Sequence, residues 1–283
     1  MLSTPESPKF DTSPTRHEEA VDSGVDSVTT KDLLSLRGIS KNFGPVQALQ
    51  NCDLDVPAGQ VTALLGDNGA GKSTFIKCIS GIYAPSSGHI FWRGNEVHVH
   101  SPRDAAALGI ATVYQDLALC DNLDIVQNMY LGREETKFGL LDEISMEVAT
   151  KQTLKDLSVT TVQSVRQLVG SLSGGQRQAV AVARAVMRDS QLVIMDEPTA
   201  ALGVSQTKLV LELIRTLASR GIAVLVISHN LTDVFTVADR IAVMHLGTIV
   251  SHGPIVNYDT TSAVELITTG ESSRVGSRST SSL

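Results

Sequence analysis

A glycine-rich segment that joins an apolar run to a helix-forming run sets the strongest limits on the fold of this chain. The run Val61–Leu65 has the composition of a buried strand. Gly66–Thr74 follows it directly and reads G-D-N-G-A-G-K-S-T, and helix-forming residues begin at Phe75. The segment matches G-x-x-x-x-G-K-S/T in the strand–loop–helix context that this pattern needs. A chance glycine-rich turn would lack that context, so the sequence predicts a phosphate-binding loop.

Each residue type in the loop suits the binding of a phosphate chain. Glycines let backbone N–H groups turn inward without Cβ clashes, and the following helix N-terminus adds partial positive charge. We expect Lys72 to reach the β- and γ-phosphates and Ser73 to ligate Mg²⁺. The predicted nucleotide-binding residues of the loop are Gly66, Asp67, Asn68, Gly69, Ala70, Gly71, Lys72, Ser73 and Thr74.

A second apolar run, Leu192–Met195, ends in two carboxylates, Asp196 and Glu197. In a phosphate-loop fold the strand that carries such an acid lies beside the loop, so Asp196 is predicted to hold Mg²⁺. Glu197 is then placed to act as the general base that polarises the attacking water. The alternative is that both acids merely solvate a strand end.

Short apolar runs alternate with helical segments along the chain, which predicts an α/β fold with a largely parallel sheet. Several of these runs are continuously apolar, as in sheets buried on both faces. The predicted strands are Leu33–Ile39, Val61–Leu65, Ile110–Val113, Leu192–Met195, Ala223–Ile227 and Ile241–His245. The predicted helices are Asp142–Leu157, Gln176–Met187 and Gln206–Ala218, with a further helix start capped by Ser101.

The ends of the chain differ from its middle. Residues 1–31 are rich in Ser, Thr and Pro, and residues 271–283 are rich in Ser, so both are predicted to be disordered tails. Between them we expect one nucleotide-binding domain over 32–255 and a C-terminal helix over 256–270. Within that domain, residues from about 116 to 175 show almost no strand pattern and are predicted to form a mostly helical subdomain.

Composition and charge exclude some function classes. The 283 residues carry 23 Lys+Arg and 30 Asp+Glu, a net charge of −7, and 42% are hydrophobic. A soluble globular chain fits these values. An acidic balance disfavours nucleic acid as a partner, because phosphate neutralisation needs a basic surface. No apolar run is long enough to span a membrane, which needs about 18 residues, and no signal peptide is apparent. We therefore expect a cytoplasmic location.

A third motif distinguishes among the many classes of phosphate-loop enzyme. Leu172–Gln176 reads L-S-G-G-Q, about 100 residues after the loop and 20 before Asp196, and it opens a helix. With this motif the chain resembles the ATP-binding-cassette (ABC) ATPases, whose signature has this sequence and spacing. The resemblance implies the P-loop NTPase ABC-ATPase fold. That fold has a mostly parallel core sheet, an N-terminal antiparallel β subdomain and a helical signature subdomain.

The resemblance also implies a partner. In this family the signature closes over ATP held by a second cassette, so the expected assembly is a homodimer that sandwiches two ATP molecules. The signature residues predicted to act there are Ser173, Gly174, Gly175 and Gln176. One departure is that Gly203 stands where many members have Asp in the loop after the acidic strand.

Three more residues match family positions. Gln115 matches the glutamine that reaches Mg²⁺ and the attacking water, and His229 matches the switch histidine at the γ-phosphate. Phe43 matches the aromatic residue that stacks on adenine. Each has a plainer reading, since a histidine after a strand is often structural and Phe43 could be a hydrophobic staple near a turn.

The remaining detail resembles the ribose/xylose/fructose branch of bacterial importers, in its single-cassette form. The similar segments are 66–74, 101–105, 109–119 and 128–133. The resemblance implies an ATPase at the cytoplasmic face of the membrane, with two permease subunits and, indirectly, an extracytoplasmic sugar-binding protein. Residues from about 116 to 133 are expected to form the groove that receives a permease helix. The alternatives are a non-transport ABC ATPase (a regulatory, ribosome or DNA factor) and a cassette for another substrate.

Overall fold

A computed structural model describes residues 32–187 and 189–276. The predicted tail over 1–31 and the last seven residues of the predicted C-terminal tail lie outside the described residues. The strands are β1 (Asp32–Phe43), β2 (Val46–Pro57), β3 (Val61–Gly66), β4 (Ser87–Trp92), β5 (Asn95–Val97), β6 (Ile110–Val113), β7 (Thr136–Lys137), β8 (Leu140–Leu141), β9 (Leu192–Asp196), β10 (Ala223–Ile227), β11 (Arg240–His245) and β12 (Thr248–Pro254). The helices are α1 (Lys72–Ile79), α2 (Pro102–Ala107), α3 (Ile125–Tyr130), α4 (Glu143–Asp156), α5 (Gly174–Val186), α6 (Val204–Ser219), α7 (Leu231–Val237), α8 (Thr260–Thr269) and α9 (Ser273–Gly276).

A six-stranded sheet in the order β12-β11-β3-β10-β9-β6 forms the centre of the molecule. Its pairs are parallel except for β11 with β12, which is a hairpin. The five predicted core strands between Val61 and His245 are confirmed to within one residue. Strands such as β10 are buried at every position, which explains their unbroken apolar runs.

The two faces of this sheet pack against different layers. Because successive side chains of a strand point to opposite faces, β3 contributes Val61, Ala63 and Leu65 to one core and Leu64 to the other. The first core includes the buried faces of α5 and α6. The second includes Phe75 of α1 and the inner face of the N-terminal strands. The site at the strand ends therefore rests on a sheet that is held from both sides.

A separate antiparallel sheet, in the order β2-β1-β4-β5, covers the second core. The predicted strand Leu33–Ile39 extends to Phe43 as β1, and the strands β2, β4, β5 and β12 are not among those the sequence predicts. In β2, buried residues such as Leu49 and Leu54 alternate with exposed polar ones. A sheet that packs only one of its faces on the core has strands with this alternation instead of a continuous apolar run. Because half of its residues are polar, β2 has a composition similar to that of a loop.

The segment between β6 and the signature is mostly helical, with α3, α4 and a short 3₁₀ turn at Val169–Ser171. The segment also contains a short antiparallel hairpin, β7–β8, whose strands have two residues each and which the sequence does not predict. Arg166 ties this segment together through ion pairs with Asp124, Glu143 and Glu147. The three predicted helices agree with α4, α5 and α6 to within two residues.

The C-terminal helix α8 packs against β11 of the central sheet. A 3₁₀ turn at Ile255–Asn257 leads into α8, and the Nδ1 atom of His245 lies 2.9 Å from the carbonyl oxygen of Ile267. Ser273–Gly276, which fall within the predicted disordered tail over 271–283, form the short helix α9. Among the described residues, no helix combines the length and the apolar character required to cross a membrane.

Candidate active site

The phosphate loop is held in place by its neighbours. Gly71 forms the N-cap of α1 with a φ of +106°, and no side chain caps that helix end. A Cβ atom on Gly71 would lie 2.9 Å from the carbonyl oxygen of Ala48 and 3.2 Å from the sulfur of Met244. Both the backbone angle and the crowding require glycine here. The first N–H groups of α1 are thus left free of side-chain caps at the mouth of the loop.

Seven of the nine predicted loop residues line an open cavity of about 520 Å³. That size lies within the range of about 300–1,000 Å³ typical of small-molecule sites. The seven are Asp67, Asn68, Gly69, Gly71, Lys72, Ser73 and Thr74. Gly66 and Ala70 are buried and lie outside the lining of the cavity. The Ala70 carbonyl accepts from the N–H of Gly247 at 2.9 Å, which joins the loop to the β11–β12 turn.

Lys72 is the lysine of the loop, and its amine folds back on the chain. Nζ donates to the carbonyls of Gly66 and Asp67 at 2.8 and 2.9 Å. Burial lowers the pKa of Lys72, and the negative charges of Glu197, Asp67 and Asp196 oppose that shift. The ammonium is therefore partly desolvated, beside carboxylates and at the floor of a cavity.

The carboxylates at the end of β9 face the same cavity. Asp196 and Glu197 line it together with Gln115, which follows β6. Because the carboxyl ends of parallel strands meet at one edge of a sheet, residues far apart in sequence converge here. Burial raises the pKa of Asp196, the adjacent charge of Glu197 raises it further, and Lys72 and Lys77 oppose the shift.

Glu197 and His229 are in contact. The Nδ1 atom of His229 lies 2.8 Å from Oε1 of Glu197, and the side chains are 70% and 16% exposed. Glu197 has a φ of +49°, in the left-handed region that side chains other than glycine rarely adopt. Its N–H donates to the carbonyl of Ile227 at 2.9 Å, which fixes the end of β9 to the end of β10.

Phe43 stands at the rim of the cavity and is 42% exposed. It pairs in register with Val46, which lines the cavity. Its ring meets that of Tyr83 edge-on at 5.2 Å between centroids, and the Lys41 ammonium lies 5.2 Å from the Phe43 centroid. A partly exposed aromatic ring can stack on a flat ligand.

The signature residues Ser173–Gln176 lie outside the lining of this cavity. Ser173 caps α5: its Oγ accepts from the N–H of Gln176 at 3.4 Å, and Gln176 Oε1 accepts from the N–H of Ser173 at 2.9 Å. The Gln176 amide also donates to the carbonyl of Thr161. Gly175 is buried, and a Cβ atom there would lie 3.1 Å from the Cβ of Gln206. Ser173 and Gly174 are the exposed members of the motif.

Sequence reasoning missed part of the cavity wall. Val46, Gln47 and Ala48 of β2 line it, as do Leu246 and Gly247 of the turn after β11. The glycine between two apolar runs at 241–245 and 248–250 is a hairpin signal that could have predicted this turn. The sequence offered no comparable signal for the β2 contribution.

Comparison with known proteins agrees with this geometry. A family profile described as ABC transporter matches residues 49–200. The fructose import ATP-binding protein FrcA of Rhizobium meliloti is 48% identical over 222 residues, covering 76% of this chain and 85% of that protein. The xylose/arabinose import ATP-binding protein XylG of Sulfolobus acidocaldarius is 48% identical over 221 residues, covering 78% and 88%. The ribose import ATP-binding protein RbsA 3 of Rubrobacter xylanophilus is 39% identical, and the chain spans 47% of its length.

Solved structures are similar in fold. The ADP conformation of an ATP-binding cassette of an ABC transporter aligns with a TM-score of 0.72 and 25% identity, covering 87% of this chain and 98% of that one. A nucleotide-free cassette aligns with a TM-score of 0.69 and 26% identity, covering 79% and 91%. The expected α/β fold, with a mostly parallel sheet and an antiparallel β subdomain, is confirmed. The chain belongs to the ABC transporter family and is an ATP-binding and ATP-hydrolysing protein of that family.

Proposed function

We propose that this chain powers the uptake of a monosaccharide of the ribose, xylose or fructose type through separate permease subunits. The observation that carries the substrate class is the 48% identity to two proteins named for fructose and for xylose/arabinose import. In this proposal the chain works at the cytoplasmic face of the membrane. An extracytoplasmic sugar-binding protein delivers the sugar to the permease.

The cavity supports specific roles toward ATP. The loop amides of residues 66–74 bind the phosphates, and the Lys72 ammonium leaves its two carbonyl partners to bind the β- and γ-phosphates. Phe43 stacks on adenine at the rim. Thr74 lies where it can contact the α-phosphate.

The oxygen donors at the strand ends suit Mg²⁺, which prefers hard oxygen ligands. Ser73, Gln115 and Asp196 line the same cavity and supply a hydroxyl, an amide and a carboxylate. The raised pKa of Asp196 indicates a buried carboxylate whose charge a cation would compensate. When bound, Mg²⁺ supplies charge neutralisation for the phosphates. The residues Ser73, Gln115 and Asp196 would hold it.

Hydrolysis needs a base that can orient water against the γ-phosphate. Glu197 is less exposed than His229 and accepts the hydrogen bond of the imidazole, so one oxygen is fixed and the other can accept from water. His229 and Gln115 then hold the water and the γ-phosphate in line, and Lys72 stabilises the charge that develops.

The signature supports a second copy of the chain as partner. Ser173 and Gly174 are exposed at the N-terminus of α5 but outside the cavity of their own chain. A helix N-terminus attracts anions, so these residues are suited to a γ-phosphate that another cassette holds. Two copies would then enclose two ATP molecules. Gln176 supports the site indirectly by capping α5, because its amide is engaged within the chain.

A groove near Gln115 supports the contact with the permease. It measures about 360 Å³ and includes Asp116, Leu117, Ala118, Leu131 and Arg133 in its lining. The Arg184 side chain donates to the carbonyls of Leu117 and Ala118 at 2.8 Å each and so fixes one wall. This wall follows Gln115 directly, which gives the γ-phosphate state a short route to a bound permease helix.

Glu197→Gln tests the catalytic roles. The amide cannot accept the water proton, so we expect ATP binding to persist while turnover falls about 100-fold or more. Phosphate release and equilibrium ATP binding are measured on the purified full chain. Glu212→Gln, an exposed change on α6, is the matched control and keeps normal turnover. Turnover at the unmutated rate in Glu197→Gln contradicts the assignment.

Partner capture separates the transport proposal from its alternatives. A tagged full chain is isolated from its native membranes, and its partners are identified. Recovery of a polytopic permease together with stimulation of turnover by that permease supports transport. Recovery of RNA, DNA or ribosomes instead supports a non-transport ATPase. Sugar uptake into vesicles that contain the permease then assigns the substrate.

A further inference from the structure

A side-chain hydrogen bond joins the loop that follows Glu197 to the helix that follows His229. Thr199 Oγ1 donates to Oδ2 of Asp233 at 2.7 Å, and Asp233 is only 9% exposed. We propose that Thr199 and Asp233 are positioning residues that keep His229 against Glu197. The proposal rests on the proposed roles of Glu197 and His229.

His229 needs such support because packing does not hold it. Its side chain is 70% exposed, and its hydrogen bond to Glu197 is the only one identified for the ring in the described structure. A side chain with that much freedom takes its position from its backbone. The backbone of His229 lies in the short connection between the end of β10 and the start of α7.

The start of α7 is tightly fixed. Asn230 Oδ1 accepts from the N–H groups of Thr232 and Asp233 at 3.0 and 3.3 Å, and Ser228 Oγ accepts from the N–H of Asn230 at 3.0 Å. These bonds make the connection and the first turn of α7 one rigid piece. Asp233 belongs to this piece, so whatever holds Asp233 also holds His229.

Thr199, which follows Glu197 in the chain, holds Asp233 in place. The N–H of Glu197 bonds the carbonyl of Ile227 before His229, and the Thr199 hydroxyl bonds Asp233 after it. The two bonds therefore bracket the contact between Glu197 and His229. The second is charge-assisted and largely buried, which makes it short and strong. It fixes both the distance and the direction from which the imidazole approaches.

Loss of this bond is expected to affect chemistry and not binding. Thr199 and Asp233 lie outside the lining of the nucleotide cavity, which Lys72 and the loop residues supply. A displacement of about 1 Å in a catalytic group can lower the rate about 100-fold. The kinetic result expected from a positioning role is therefore a lower kcat at an unchanged KM.

Thr199→Val, with Thr199→Ser as the matched control, provides the first test. Valine keeps the shape and removes the hydroxyl, whereas serine keeps the hydroxyl. In the purified full chain we expect Thr199→Val to lower kcat about tenfold or more, with KM within about twofold, and Thr199→Ser to retain most of the activity. Equal kcat in Thr199→Val and the unmutated chain overturns the proposal. A parallel loss of ATP affinity, kcat and thermal midpoint in both variants also overturns it, because it indicates a general structural role.

A double-mutant cycle gives the second test. If Thr199 acts through His229, then Thr199→Val lowers the residual turnover of His229→Ala by less than about twofold, because the group it positions is gone. Release of radiolabelled phosphate resolves that slow turnover. A full additive loss in the double variant overturns the proposal. Glu197→Gln, measured in parallel, separates failure of the catalytic proposal from failure of the positioning proposal. Normal turnover in Glu197→Gln contradicts the proposed roles of Glu197 and His229. Loss of turnover in Glu197→Gln together with normal turnover in Thr199→Val rejects only the positioning role.

Discussion

The phosphate loop and the signature both place glycines at the start of a helix, but the two helix ends are capped differently. At α1 the cap residue Gly71 offers no side chain, and the N–H groups open into a cavity with Lys72 and two carboxylates. At α5 the reciprocal bonds of Ser173 and Gln176 satisfy the N–H groups of these two residues within the chain. Thus the N–H groups at the start of α1 depend on a ligand, whereas those at the start of α5 are partly satisfied within the chain before any ligand arrives.

This difference assigns different duties to the two regions. A site with unsatisfied donors binds its ligand strongly and changes state when the ligand leaves. A helix end that is partly satisfied within the chain contributes by its shape and by the field of its remaining N–H groups. The chain should therefore bind ATP through the loop, and the signature should affect only what happens after a second copy arrives.

Lys72→Ala should have the largest effect and defines the loop side of the comparison. Loss of the ammonium removes the group proposed to stabilise the charge on the β- and γ-phosphates, and we expect turnover to fall at least about 100-fold with weaker ATP binding. Phosphate release and equilibrium binding provide the measurement. The control is Lys208→Ala, which removes an exposed lysine of α6. Normal turnover in Lys72→Ala would contradict the role of the loop.

Ser173→Arg should have an intermediate effect and tests the signature side. A bulky cation at an exposed helix end leaves the cavity of its own chain intact, so the Kd for ATP should change less than about twofold. Turnover should fall about tenfold or more. A penalty of about 1.4 kcal/mol on the association of the two copies lowers their association constant tenfold.

Ser173→Ala is the control for that change. It removes the hydroxyl and the cap without adding bulk, so it should lower stability by about 1 kcal/mol and lower turnover less than Ser173→Arg does. Size-exclusion chromatography of the Glu197→Gln chain with ATP, with and without Ser173→Arg, reports the association of two copies directly. Weaker ATP binding by Ser173→Arg at low concentration would show that the two regions are not separate.

In the ligand-free chain, Asp196→Asn should have the smallest effect on stability of these changes, and that effect is a gain. Because burial and Glu197 raise the pKa of Asp196, the folded chain binds that proton more tightly than the unfolded chain does. The stabilising contribution is present in full below the ordinary carboxyl pKa of about 3.9 and is lost as pH rises through the raised value. At pH 7 the amide should therefore raise Tm, by up to about 4 °C for a contribution of about 1 kcal/mol.

The pH dependence of that gain distinguishes it from ordinary packing effects. Thermal melts of the ligand-free chain between pH 7 and about pH 4, close to the ordinary carboxyl pKa, should show the advantage of Asp196→Asn shrinking as the pH falls. Ser173→Ala should keep a constant deficit over the same range, because the cap does not titrate there. A constant advantage for Asp196→Asn would contradict the electrostatic explanation.

The parts of the fold that the sequence predicted are those with a local cause. The central strands are buried on both faces, so each appears as an apolar run, and β6 and β10 were predicted to the residue. The phosphate loop is likewise contained in one continuous segment. The capping box of Ser173 and Gln176 also has a local pattern, S-x-x-Q, although the sequence analysis gave Gln176 a nucleotide-binding role.

The parts that it missed depend on contacts between distant segments. β2 has only one buried face, and its place in the cavity wall arises from the close approach of Ala48 to the loop and to Gly247. Thr199 and Asp233 are 34 positions apart, and neither belongs to a short motif. Their pairing follows from the order of β9 and β10 in the sheet, which the sequence does not state.

The left-handed backbone of Glu197 has a consequence for anyone who engineers this chain. A residue with a side chain in that conformation costs about 1–2 kcal/mol relative to one that is relaxed. Glycine would remove this cost, and a procedure that selects for thermal resistance would favour glycine at position 197. Given the role proposed for Glu197 as the base, the resulting protein would withstand more heat and lose its ATP turnover. Selection for robustness should therefore hold position 197 fixed from the start.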